Sequence, residues 1–203
     1  MADVTLQPRS PLANCAIPGR HGKSAGAPGV IIRERTGLAL ASVMARKDRT
    51  TDTAAALTKR TGQSITNAPK RVTGNGLAIT GVAPGQWLAL AEPASAPGII
   101  GELQRTLADI AAVTEQSDTR VILEISGPNA RDTLAKGIQI DLDPRAFHIG
   151  DAAQTMASHL NLHLALIDPT PTFELIGMAT FAGSLWSWLS SSAAEFGYEF
   201  HRS

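Results

Sequence analysis

Apolar positions change period several times along the chain, and each change marks an element. Residues 37–44 (GLALASVM) read as a first strand. Residues 50–60 read as a helix with Ala54, Leu57 and Thr58 turned inward, Thr50 or Thr51 as its cap and Gly62 as its end. A loop over 69–73 leads to a turn at Gly74-Asn75-Gly76. Residues 77–82 and 86–91 then form a hairpin around Pro84-Gly85, which places Trp87, Leu88 and Leu90 in the core. Over 98–109, Ile99, Leu103 and Leu107 recur four apart, the stripe of an amphipathic helix.

From Val113 the order of element types starts again. Val121, Ile122, Leu123 and Ile125 make a strand of β-branched and apolar residues. It turns at Ser126-Gly127-Pro128, where proline suits a first helical position because it has no N–H to satisfy. A short helix over 128–136 puts Ala130, Leu134 and Ala135 on one side and Arg131, Asp132 and Lys136 on the other. A polar loop, Asp141-Leu142-Asp143-Pro144-Arg145, leads to Phe147. Extended segments follow at 152–156, 160–167 and 172–176, then a helix over 180–190. Two passes of strand, helix, two strands and helix predict an α+β fold of two packed, split-βαβ-like halves. The halves are 36–113 and 114–193 of a single domain spanning 36–193.

The ends read differently. Residues 1–35 are crowded with proline and glycine, which oppose helix and weaken strand, so they are expected to form an extended arm. Laid on another subunit, that arm would be anchored by Leu12, Val30, Ile31 and Ile32. Residues 194–203 form a tail that would fray unless Phe196 and Tyr198 are covered. In Leu185-Trp186-Ser187-Trp188-Leu189 the two tryptophans lie on different sides of a helix. Either one of them docks a partner or the helix is sandwiched inside the domain.

Composition narrows the function classes. With 203 residues and 43% hydrophobic content the chain can bury a sizeable core. Eighteen basic and eighteen acidic residues cancel, so no global field draws in nucleic acid, and little charge opposes association with a partner. One cysteine, Cys15, leaves no intramolecular disulfide. No run reaches the roughly 20 apolar residues of a membrane helix. The first residues lack a secretory pattern, and a cytoplasmic location is expected.

The candidate chemistry is thin. Gly22-Lys23-Ser24 imitates the end of a phosphate-binding loop, but Ile17 stands where the first glycine belongs and no strand precedes it. His159 and His163 have a helical metal spacing, yet Leu160, Leu162, Leu164 and Leu166 alternate as in a strand, which makes both ordinary polar-face histidines. Asp141, Asp143 and Asp151 surround Arg145 and His148; Asp141 and Arg145 read as loop structure and as a candidate partner contact. Cys15 has only His21 nearby to activate it. Ser126 lacks the glycines of a nucleophile elbow, and no dinucleotide fingerprint follows a strand. No catalytic, cofactor-binding or metal-binding set is identified.

The run SDTRVILEISGPNARDTLAKG…DLDPRAF…GDAAQT, with PTFELI…FAGSLWSWL near the end, resembles the gamma subunit of heterotetrameric sarcosine oxidase. The resemblance covers about 36–193 and is strongest between Ser117 and Thr155. The family commonly has cysteines near Ile138 and Ala152 and a histidine near Asp143, none of which this chain carries. The strand, Ser-Gly-Pro, helix pattern is also similar to the folate-binding domain of aminomethyltransferases. The resemblance implies a non-catalytic structural subunit beside alpha, beta and delta partners. That complex oxidatively demethylates sarcosine to glycine, with hydrogen peroxide and 5,10-methylenetetrahydrofolate as the other products. FAD, FMN, NAD, zinc and tetrahydrofolate are then expected on the other subunits and none on this chain. Two alternatives stand beside it: a scaffold for a related secondary-amine dehydrogenase, and a free-standing folate-binding aminomethyltransferase-like protein.

Overall fold

The computed structural model describes residues 9–92, 94 and 97–202. Strands β1 (Gly19–His21) and β2 (Val30–Glu34) come first. The first half then holds β3 (Ala39–Ala45), α1 (Thr50–Thr61), β4 (Arg71–Gly74), β5 (Leu77–Ala83), β6 (Gln86–Ala91), α2 (Ile99–Thr106) and β7 (Ala111–Glu115). The second holds β8 (Arg120–Ser126), α3 (Ala130–Ala135), β9 (Ala152–Ala157), β10 (Leu160–Asp168), β11 (Thr172–Met178), α4 (Ala182–Ala193) and β12 (Tyr198–Arg202).

Each half folds a three-strand antiparallel meander back onto its own first strand. The five-stranded sheet runs β4-β5-β6-β3-β7, and the seven-stranded sheet runs β1-β12-β2-β8-β11-β10-β9. Both therefore contain the same arrangement, β4-β5-β6-β3 in one and β9-β10-β11-β8 in the other. Local turn chemistry sets the register. Asn75 and Gly76, with φ of 49° and 75°, adopt the left-handed pair that a two-residue hairpin between β4 and β5 demands.

Alternation along the strands sorts side chains into three apolar layers. Val43, Leu77, Ile79 and Trp87 meet Leu57 of α1 and Leu103 of α2. Val30, Ile32, Leu123, Ile125, Leu164, Phe173 and Leu175 meet Leu134 of α3 and Leu185, Trp186 and Leu189 of α4. Between the sheets, Leu40, Ala78, Leu88 and Leu90 face Ile122 and Ile176. The sheets are also joined at one edge, where Ala152 N donates to Pro69 O at 3.0 Å and Arg71 N to Gly150 O at 2.7 Å.

The ends of the chain correct the expectation drawn from them. Residues 1–8 of the expected arm lie outside the described residues, and the rest of the Pro- and Gly-rich segment is no detached arm: β2 pairs antiparallel with β8 and parallel with β12. Leu12, Val30 and Ile32 are fully buried in the chain's own core. Nor does the tail fray, because β12 lies between β1 and β2 with Tyr198 and Phe200 buried. Gly22 and Gly29 fall between the strands, where Gly29 sits against Phe196 and Gly22 against Ala194 too closely for a side chain. Two smaller corrections concern boundaries. Residues 71–73, expected as loop, and Gly74, expected in the turn, pair with β5. Helix α1 begins after Arg49 with no side-chain cap bond, and Thr53, Leu57 and Thr61 form its buried side.

Candidate functional site

The inner face of the seven-stranded sheet, turned toward the other sheet, carries charge. Glu124 of β8 and Glu174 of β11 stand directly opposite each other in the register. Two carboxylates so placed repel unless each is separately neutralised. Arg71 of β4 reaches across from the five-stranded sheet and grips Glu174 at 2.8 and 3.0 Å through two nitrogens. That pair is nearly dry, with side-chain exposures of 14% and 4%. Arg35, on the link between β2 and β3, bonds Glu124 and also Glu92, and Arg33 lies 3.7 Å from Glu124. Both clamping arginines thus come from segments that tie the sheets together.

His163 shares this inner face. It is opposite Ile176 on β11 and Gln154 on β9. Burial, helped by the positive charge of Arg120, lowers its pKa to about 4, so the ring is neutral near pH 7. Its Nδ1 is buried with no hydrogen-bond partner among the described residues. Arg120 is half-buried, which lowers its own pKa, and donates to the side-chain oxygen of Gln116 at 3.0 and 2.6 Å.

A cleft of about 790 Å³ opens where the chain leaves β2 for β3, lined by Glu34, Arg35, Ser117, Asp118, Arg120 and Arg202 among others. Glu34, 1% exposed, accepts from Ser10 Oγ at 2.6 Å and from Arg202 Nε at 3.3 Å. A second, shallow hollow of about 680 Å³ lies along α4 beside Lys136, Ser187 and Trp188.

The side chains expected at partner contacts separate into two groups. Leu12, Val30, Ile32, Trp186 and Tyr198 are buried within the chain, so none is presented to a partner. Trp186 packs on Phe200 and Tyr198, with ring centroids 4.5 and 6.0 Å apart. Ile31, Trp188 and Phe196 are half-buried; Trp188 covers Gly137, and Lys136 lies 4.6 Å over the Phe196 ring. Asp141 and Arg145 are exposed. Asp141 accepts from Asp143 N at 2.8 Å, and Arg145 bonds Asp143, holding that carboxyl below its usual pKa. Asp151 is not part of that loop pair. Burial pushes its pKa up, but bonds from Lys70 and His148 outweigh this and leave it lowered.

Among the described residues, no group of three His, Cys, Asp or Glu side chains is placed to hold a metal. No described helix is long and apolar enough to cross a membrane. The paired glutamates, their arginines and the Arg120–His163 corner were missed in the sequence. Their only signal there is charge interrupting the apolar strands RVILEIS and TFELI, which a solvent-facing strand shows equally.

Comparison with known proteins places this architecture. Residues 46–195 match the family described as sarcosine oxidase, gamma subunit. A sarcosine oxidase subunit gamma from Corynebacterium sp. (strain U-96) is 29% identical over 97% of this chain and 95% of its own length. One from Arthrobacter sp. is 33% identical over 79% of this chain and 77% of its own. Among solved structures, a chain of the heterotetrameric sarcosine oxidase from Corynebacterium sp. U-96, in complex with pyrrole 2-carboxylate, superposes with a TM-score of 0.77 at 26% identity. That match covers 93% of this chain and 96% of the other. The glycine cleavage aminomethyltransferase T from Bartonella henselae shares the fold, with a TM-score of 0.64 at 16% identity over 85% of this chain and 47% of its own. The chain belongs to the sarcosine oxidase gamma subunit family.

Proposed function

We propose that this chain is the non-catalytic, structural gamma subunit of a heterotetrameric sarcosine oxidase, working in the cytoplasm beside alpha, beta and delta subunits. The observation that carries the reading is the family match, which extends over both sheets rather than over one motif. In this reading the complex takes two electrons from the N-methyl carbon of sarcosine and passes them to oxygen, giving hydrogen peroxide. The oxidised one-carbon unit goes to tetrahydrofolate and glycine is released. FAD, FMN, NAD, zinc and the folate reside on the other subunits.

The chain's own contribution is then rigidity and surface. The ion pairs of Arg35 with Glu92 and Glu124, Lys70 with Asp151 and Arg71 with Glu174 hold the two sheets together, and such pairs fix geometry rather than perform chemistry. Asp141, Arg145, Trp188, Ile31 and Phe196 are the expected contact side chains that retain accessible surface, and partner docking is assigned to them.

Purification of the tagged chain from its native cells, with a visible spectrum of the eluate, tests this. Larger co-purifying subunits with a flavin band, and peroxide released on adding sarcosine, are expected. Flavin without sarcosine turnover would replace sarcosine oxidase by a related secondary-amine dehydrogenase. A colourless solitary chain that binds tetrahydrofolate stoichiometrically would overturn the subunit reading in favour of an aminomethyltransferase-like protein.

A further inference from the structure

The cleft beside β2 and β8 contains a half-buried cation without an ion pair among the described residues. Arg35 is neutralised by Glu92 and Glu124, and Arg202 by Glu34. Arg9, on the exposed side, bonds Asn14. Arg120, like Arg9, has no ion pair among the described residues, but unlike Arg9 it is withdrawn from solvent. It is half-buried, and both of its hydrogen bonds fall on one neutral oxygen, that of Gln116. No carboxylate among the described residues forms an ion pair with it, and its Nη1 has no partner there. A guanidinium removed from water is stable when a planar oxyanion meets its fork of donors; an amide oxygen matches only part of that fork.

Three further observations bear on what is missing. The cleft over Arg120 measures about 790 Å³, within the range that holds a small organic ligand. His163 does not line the cleft but is near enough to feel the Arg120 charge, and its buried Nδ1 has no partner among the described residues. Of the two lining carboxylates, Glu34 is already held by Ser10 and Arg202, and Asp118 is exposed to solvent, where its repulsion is screened.

We propose that this cleft is an oxyanion site, in which the guanidinium of Arg120 holds the carboxylate or phosphate group of a small organic ligand. The site lies wholly within this chain and does not depend on assembly of an oxidase. The anion neutralises Arg120, and its negative charge favours protonation of the neighbouring imidazole.

Thermal unfolding of the full chain is the test, with sodium acetate and sodium phosphate as probes against sodium chloride at matched ionic strength. A saturable rise in Tm is expected for wild type, because a ligand that binds only the folded state stabilises it. Arg120→Gln is expected to weaken the apparent affinity by about tenfold or more, the worth of a charge-assisted bidentate contact. Arg120→Lys keeps the charge but loses the fork, and falls between the two. In parallel, NMR titration of His163 in wild type is expected to show its pKa rising from about 4 when the effective anion is present. A response to acetate alone assigns a carboxylate ligand, and one to phosphate alone a phosphoryl ligand. Absence of a saturable response in wild type, or equal responses in wild type and both variants, overturns the proposal.

Discussion

On the outer face of the seven-stranded sheet, Val30, Ile32, Leu123, Ile125, Leu164, Leu175 and Phe200 pack beneath α3 and α4. On the inner face, the same strands carry Arg33, Glu124, Glu174 and His163, with only Ile122 and Ile176 joining the apolar layer between the sheets. The outer face is stabilised by area: roughly 25 cal/mol for each square ångström of apolar surface withdrawn from water, with little dependence on which residue supplies it. The inner face works by matching. Glu124 and Glu174 side by side would be repulsive, and the arrangement holds because Arg35 and Arg71 arrive from different segments to neutralise one each. A face built on area degrades in proportion to what is removed. A face built on matching fails when one partner goes and recovers when both do.

The largest effect is expected on the outer face. Phe200→Ala empties a site that is 0% exposed beneath Trp186, and should lower unfolding free energy by about 3–5 kcal/mol, read from urea transitions. A frayed tail at this position would leave the transition unmoved. On the inner face, Arg71→Met should destabilise by about 3 kcal/mol, since it strands the Glu174 carboxylate at 4% exposure. The double variant Arg71→Met, Glu174→Met sharpens the contrast: most of that loss should return, because two methionines cover the gap without a charge. If the double variant is as unstable as the single one, the pair contributes more than compensation and the distinction between the faces fails.

The same contrast explains what was legible in the sequence. Strands β5, β6, β8, β10 and β11 and helix α1 stand out because local periodicity and turn residues agree, as at Gly62 and Asn75-Gly76. Element order hints at two units because β3–β7 close on themselves within one contiguous stretch, but the expected boundary between 113 and 114 falls inside β7, and the second sheet draws β1, β2 and β12 from outside 36–193. The terminal strands carry no such local signal. β2 is recruited by β8 and β12 far along the chain, and Gly29, which argued against strand, is the residue that lets the backbone approach Phe196. Trp186 likewise owes its burial to Phe200 and Tyr198, which arrive only once β12 has joined the sheet. The cleft was invisible for a related reason. Glu34, Ser117, Arg120 and Arg202 are scattered in sequence, and each alone looks like a surface residue.

His163 offers the finest test, because alternation within β10 makes it a polar-face residue and a polar face suggests water. Its burial between the sheets says otherwise, and lowers its pKa from the unperturbed 6.5 to about 4. Above pH 6.5 the ring is neutral in both the folded and unfolded chain, and stability is undiminished. Between 6.5 and 4 the unfolded chain takes up a proton that the folded chain refuses, so stability falls as pH falls. Below about 4 both forms are protonated and the loss is complete, at about 3 kcal/mol as an upper figure for full expression of that shift. Carboxylates elsewhere also titrate toward the acid end, so the comparison is between wild type and His163→Phe, which keeps a ring of similar size but cannot be protonated. The difference in unfolding free energy between the two should grow steadily from pH 7 to pH 4, with wild type the one that loses. Parallel curves would mean that the ring meets solvent freely, and that the matching of charges on the inner face stops at Glu174.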